Sequence, residues 1–428
     1  MSSHKADSVR RIFNELGIGE QARRTKGVDI LTTITSEADT FPEPEPVEQA
    51  DVSGALTPKK WVWKDPKKIP PRDFIYGTHY IRKFVSAGFG PPGGGKSSKR
   101  LVEAIAMASG RALLGIKPVK KLKVWYWNGE DPEEEIDRRI AAICLQYNIK
   151  PQDLEGYLFV NSGRDQKIIV ATQTRNGAMI MEPVVNALIG AIERLGIDAV
   201  VLDPMVSTHR VAENDNPAID AVVKQFADIA DKTNCAIDLE HHIRKTNGNE
   251  ATVDDGRGAS SLVGAARSIE VLNKMTKAEG ARLGLDQHWR YFSVDDGKAN
   301  MSPLAERKWF KIVSLDLGNG TELHPKGDNV GVVTKWIPPE ALEGVSADDF
   351  AAAAREIGSG KWRGDVRANN WIGKPIAKAL KRGMGDKSER AKIGMIVDAW
   401  LKAGSLEKYE ETVDGHKKSF IRVARDEE

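Results

Sequence analysis

The residues Gly90-Pro91-Pro92-Gly93-Gly94-Gly95-Lys96-Ser97 form a complete phosphate-loop signature. Glycines without a Cβ let successive backbone N–H groups turn inward on phosphate oxygens. Lys96 supplies a point charge for the β- and γ-phosphates, and Ser97 offers a hydroxyl to Mg²⁺. Gly90, Gly93, Gly94, Gly95, Lys96, Ser97 and the adjoining Ser98 are therefore the candidate nucleotide-binding residues, with ATP and Mg²⁺ as the implied cofactors. Gly88, Gly90 and Gly93 also fit the GxGxxG spacing of a dinucleotide turn. The Gly-Lys-Ser that follows is what a phosphate loop requires and a dinucleotide turn does not.

In an open α/β sheet, ligands collect at the carboxyl ends of the strands, so acids and histidines that end β-prone runs come next. Val124–Trp127 leads into Asn128-Gly129-Glu130-Asp131. A carboxylate here can polarise the water that attacks a γ-phosphate. Glu130 is assigned that task, and Asp131 is assigned the cap of a helix starting near Pro132. Ala199–Leu202 is an apolar run closed by Asp203, which has the form of a Walker B carboxylate that holds Mg²⁺. Ala236–Leu239 runs into Glu240-His241-His242. Adjacent histidines point to opposite faces of a strand, which argues against a shared zinc. One of the two can instead contact the γ-phosphate. Arg244–Glu250 is polar, either a solvated loop or a nucleic-acid loop driven by that contact.

These groups need a frame. A chain of 428 residues holds two or three domains, and 63 basic against 61 acidic residues leave no global charge from which to argue a nucleic-acid partner. Cys144 and Cys235 lie in apolar stretches, which predicts buried reduced thiols and a cytoplasmic protein. No apolar run is long enough to predict a membrane span. Residues 1–60 are polar and rich in Pro and Glu around Phe41–Val47, which predicts a mostly disordered arm with one short helix near Val9–Leu16. Over 61–340, β-like runs alternate with helical ones such as Glu182–Leu195 and Ile219–Lys232. That alternation predicts an α/β domain, a mainly parallel sheet with helices on both faces. Trp289–Val294, Trp309–Leu315 and Val330–Thr334 are expected to extend it in antiparallel fashion. Over 345–428, helices at Ala347–Ile357, Trp371–Lys381 and Lys392–Ala403 precede a hairpin turning at Asp414-Gly415, the layout of a winged helix.

Taken in order, the phosphate loop, Glu130-Asp131-Pro132, Asp203, His241-His242-Ile243-Arg244-Lys245, Arg257–Ser261, Arg267 and Gly297–Asn300 form a series. It resembles the RecA-like P-loop ATPases of the DnaB superfamily, in particular the hexameric replicative helicases of the RepA type. The resemblance spans about residues 75 to 315. It implies a homo-hexameric ring with ATP sites at subunit interfaces and single-stranded DNA in the channel. It also implies that His242 senses the phosphate and Arg267 is an arginine finger reaching a neighbour's γ-phosphate. Arg139 and Lys298 become further nucleotide-contact candidates, and for Arg267 and Lys298 an ordinary surface or ion-pairing role is the plain alternative. Simple members of that group lack the arm and the C-terminal module, so a loader, scaffold or regulatory ATPase that never unwinds is the competing reading. The module is locally basic, from Lys374 to Lys392, with acids interleaved, and a duplex DNA or a protein partner is the expectation there. Trp371 and Trp400 are expected in its core.

Overall fold

The computed structural model describes residues 58–175, 177–243, 249–256, 259–413 and 416–424. Five expectations fall outside them: the arm up to residue 57 with its Val9–Leu16 helix, Arg244–Gly248 of the polar loop, Arg257-Gly258, the Asp414-Gly415 turn, and the chain beyond 424. The chain divides into two compact units, Met1–Pro70 and Pro71–Glu428. Within the first, Asp65 caps a single 3₁₀ turn, Pro66–Lys68, by accepting from Lys67 N at 3.0 Å.

The second unit opens with a short antiparallel pair, β1 (Phe74–Tyr76) and β2 (Tyr80–Ile81). A nine-stranded sheet follows. Its parallel part comprises β3 (Val85–Gly90), β4 (Val124–Asn128), β5 (Leu158–Ser162), β8 (Ala199–Asp203), β10 (Ala236–His242) and β11 (Ser268–Lys274). Their spatial order is β11-β3-β10-β8-β4-β5, with β12 (Tyr291–Ala299), β13 (Lys308–Asp316) and β14 (Asn329–Trp336) added antiparallel beyond β11. A small separate sheet joins β6 (Ala171–Thr174), β7 (Gly177–Ile180) and β9 (His209–Arg210).

The central strands are mostly apolar because helices cover both faces, with Asp238 and Glu240 of β10 and Glu270 of β11 as buried charged exceptions. On one face, α1 (Lys96–Ser109) and α2 (Glu133–Tyr147) press Leu101, Ile105 and Ile143 against Val124, Tyr126 and Val201. A four-residue turn, α3 (Pro151–Leu154), follows α2. On the other face, α4 (Glu182–Leu195) and α5 (Asn216–Thr233) bring Leu188, Val222 and Phe226 to Phe89, Val200 and Leu202. Burying each such side chain stabilises the sheet by about 1.5–3 kcal/mol. Local signals set the ends: Asp215 accepts from Ala218 N to start α5, and Gly196 and Asn234 take left-handed backbone to end α4 and α5.

Short α6 (Ala259–Ala265) and α7 (Lys277–Arg282) flank β11. The module after residue 345 contains α8 (Ala347–Ile357), α9 (Gly373–Ala379), α10 (Lys387–Lys402) and the hairpin β15 (Leu406–Val413)–β16 (His416–Val423). Trp371 and Trp400 lie in its core with Ile357, Ile376 and Ile393, as their apolar surroundings predict. Asp386 caps α10, which therefore starts at Lys387 rather than Lys392.

Candidate functional site

Parallel register brings the reactive strand ends together. His242 pairs with Gly90, and Asn128 lies between Asp203 and Ser162, so β3, β4, β8 and β10 finish at one edge. The phosphate loop leaves β3 at that edge and enters α1, whose first residue is Lys96. Gly95 holds φ +97°, and a Cβ there would meet the Phe292 ring at 2.9 Å, so this turn requires glycine. Gly88 belongs to β3 itself, where a Cβ would fall 1.9 Å from Glu240 Oε1. The dinucleotide-like spacing therefore reflects a packing glycine inside a strand.

Gly93–Ser98, Glu130, Arg139 and His242 line one cavity of about 700 Å³. Lys96 is almost wholly buried, and its Nζ has no hydrogen-bond partner. Asn128 Oδ1 accepts from the backbone N of Glu130 at 2.9 Å and of Asp131 at 2.8 Å, which fixes the turn that presents Glu130. The Glu130 carboxylate is exposed, 3.8 Å from His242 Nε2. Burial and the Lys96 charge lower the His242 pKa below the usual histidine value, against the pull of Glu130 and Asp203, so the ring is neutral at pH 7. Its Nδ1 is buried without a partner. His241 takes the other face of β10 and packs on Phe89 at 5.5 Å between ring centres. Strand alternation thus selects His242 as the histidine that faces the cavity.

Asp203 is buried and accepts from Tyr126 OH at 2.9 Å. Burial and the Asp203 charge raise the Tyr126 pKa well above its ordinary value, so the phenol stays a donor. Asp131 does not cap α2. Pro132 holds the cap position without a side-chain bond, and Asp131 instead pairs with Arg139 Nη1 at 2.8 Å. Arg139 also binds Glu135 Oε1 at 3.0 Å, so it borders the cavity with its charge already engaged.

Arg267 and Lys298 lie elsewhere. Arg267 N donates to Val85 O at 2.9 Å, at the amino end of β3, and Lys298 pairs in register with Ile269 on β11 beside it. Lys298 Nζ donates to the carbonyls of Val263 and Gly264 at the end of α6. Burial and the Arg267 charge lower its pKa. Both residues occupy the edge of the sheet opposite the phosphate loop.

Between these edges, beneath α1, lies a buried ionic network that no sequence motif announces. Arg100 Nε contacts Glu240 Oε1 at 2.5 Å and Asp238 Oδ2 at 2.9 Å, while its Nη1 reaches Glu103 and Glu270 at 2.8 Å. Lys99 binds Glu103 at 2.6 Å and Glu270 at 2.7 Å. His79 bridges Asp238 (2.8 Å) and Ser268 Oγ (3.0 Å). The available signal was alternation: Asp238, Glu240 and His242 share one face of β10, and Lys96, Lys99, Arg100 and Glu103 share one face of α1.

In the C-terminal module, Lys378, Lys387 and Lys392 pair with Glu356, Asp286 and Glu389 at 2.5–2.8 Å. Ser388 and Ala391 of α10 crowd Gly284, where a Cβ would approach to 3.0–3.1 Å. The first turns of α10 therefore pack on the segment after α7.

Fold and loop together define a P-loop nucleotide-binding domain of the α/β class. The model of a family described as an AAA domain matches residues 38–248, just under half of the chain, so this segment is similar to nucleotide-binding ATPase domains. No curated protein matches the chain. Among solved structures, a RadB recombinase is 14% identical, covers 55% of this chain and 89% of its own, and superposes with a TM-score of 0.37, too low to support further argument. Among the described residues no helix is long and apolar enough to cross a membrane, and no cluster of His, Cys, Asp and Glu forms a metal cage.

Proposed function

We propose that this chain is a Mg²⁺-dependent, RecA-like ATPase that works as a hexameric ring on single-stranded DNA, as a helicase of replicative type. The observation that carries the reading is the separation of groups. Lys96, Glu130 and His242 converge on one cavity at the carboxyl edge, while Arg267 and Lys298 occupy the opposite edge. Arg138 and Arg139, which line the cavity, are engaged by Asp328 and by Asp131 and Glu135 respectively. An arginine finger must then come from a neighbouring copy, and such fingers are worth about 10³–10⁵ in rate.

The residues present fit a bound nucleotide with Mg²⁺. The orphaned Lys96 Nζ and the glycine turn suit phosphate oxygens, and a serine hydroxyl with a carboxylate is the oxygen donor set that Mg²⁺ prefers. Ser97 and Asp203 would hold the ion, which neutralises phosphate charge when bound. Lys96 and the loop N–H groups bind and orient the β- and γ-phosphates. Glu130 accepts a proton from the attacking water, and neutral His242 donates a hydrogen bond to the γ-phosphate. The ordered motif series supports the ring and the DNA substrate, and the module after residue 345 supplies a winged-helix contact for duplex DNA or a protein.

Strand displacement on a forked duplex with ATP and Mg²⁺, run beside Glu130→Gln, tests the proposal. Displacement that disappears in the variant supports a motor. ATP consumed with the fork intact would replace the helicase by a loader or scaffold.

A further inference from the structure

We infer that Glu240 is a positioning residue for Lys96, competing with phosphate oxygens for the lysine's charge and taking it back when nucleotide leaves. This rests on the phosphate-loop reading of the same site. The geometry is that of an incomplete pair. Lys96 Nζ and Glu240 Oε2 face each other at 3.9 Å with side chains essentially buried, and each lacks a hydrogen-bond partner. Two opposite charges left unsatisfied in a dry place are costly unless one of them is waiting for a ligand. Phosphate oxygens supply what Lys96 lacks. Nothing comparable is offered to Glu240, whose other oxygen is clamped by Arg100 Nε at 2.5 Å.

That clamp keeps the carboxylate in place while the lysine moves. Gly88 provides the room, since a Cβ there would lie 1.9 Å from Glu240 Oε1 and 2.6 Å from Arg100 Nη2. The surrounding charge favours return. Lys96, Lys99 and Arg100 face four carboxylates, Glu103, Asp238, Glu240 and Glu270, so loss of Lys96 to the phosphates deepens an existing excess of carboxylates under α1. Burial raises the Glu240 pKa, with Asp238 and Asp203 adding to the rise and Arg100 and Lys96 opposing it, consistent with a carboxylate that wants its cation back. The effect is to weaken nucleotide binding and speed product release, which a cycling enzyme needs.

The test is ADP binding with Mg²⁺ on the full chain, by calorimetry and by dissociation rate. Glu240→Gln keeps the shape and removes the charge, so Lys96 is released in advance. ADP should bind about fivefold more tightly and leave correspondingly more slowly, the size expected for one screened charge pair. Glu240→Asp draws the carboxylate back by one methylene and should tighten binding by about twofold. A residue that only supports the fold would give unchanged or weaker binding in either variant, and that result overturns the inference. Should Glu240→Gln fail to fold, the sign of the change in Glu240→Asp decides alone. The Lys96→Ala variant separates the two readings: ADP bound there as in the parent chain faults the phosphate loop itself, whereas lost binding there with no tightening at Glu240 faults only this inference.

Discussion

Lys96 and Glu130 line one cavity, and their surroundings differ as their proposed tasks do. Lys96 is buried, so its ammonium acts at low dielectric and its removal is felt fully. Lys96→Ala should reduce ATP turnover to background, and near-normal turnover in that variant would remove the site assignment. Glu130 is exposed on a turn that Asn128 holds through backbone bonds, so the side chain can change without disturbing the frame. Glu130→Gln should bind ATP as the parent does and hydrolyse it about 10²–10⁴-fold more slowly, the usual worth of a general base. Loss of binding instead would make Glu130 structural. At this scale too, His242 lines the cavity and His241 packs on Phe89, because alternate residues of a strand face opposite ways.

At the scale of elements, β10 and α1 present matched lines of charge. Four carboxylates, Glu103, Asp238, Glu240 and Glu270, pair with Arg100. Replacing it by methionine keeps much of the volume and strands those charges, so Arg100→Met should cost about 3–5 kcal/mol in unfolding experiments. A cost below about 1 kcal/mol would mean the network contributes little. The same lines predict acid sensitivity. Burial alone would raise the Asp238 pKa, but Arg100 and His79 hold it down to about 2, below its unfolded value of 3.8. Glu270 is likewise held well below 4.5, by Lys99, His79 and Arg100 against burial. Carboxylates with depressed folded values give stability that is complete above their unfolded values and lost as pH falls through the folded ones. The melting temperature should therefore fall as pH drops from about 4.5 towards 2. A melting temperature flat across that window would contradict the pairing.

Across the whole molecule, one chain carries a phosphate site at one edge of its sheet and Arg267 with Lys298 at the other. If the site is completed by a neighbouring copy, two inactive variants can rescue each other. Mixing Arg267→Ala with Lys96→Ala subunits should restore measurable ATP turnover at interfaces that pair an intact loop with an intact finger. Absence of rescue at every mixing ratio would assign Arg267 to the fold of its own chain. The C-terminal module belongs to the same scale. The first turns of α10 pack on the segment after α7, which ties the module to the sheet domain.

Local grammar made much of this readable. Gly-Gly-Lys-Ser after an apolar run, an acid closing Ala199–Leu202, and β-branched stretches late in the domain fixed the loop, the acid-ended strand β8 and the antiparallel extension. Each depends on neighbours in sequence. Contacts between distant segments decided the rest. Strand β11 escaped notice because Glu270 and Asn273 interrupt its apolar run, and they are tolerated only where Lys99 and Arg100, or Ala251, meet them. Asp131 looked like a cap until Arg139 claimed it. Burial makes a charge functional or costly according to what lies opposite, and for Glu240 what lies opposite is a lysine from another element, which no run of neighbouring residues encodes.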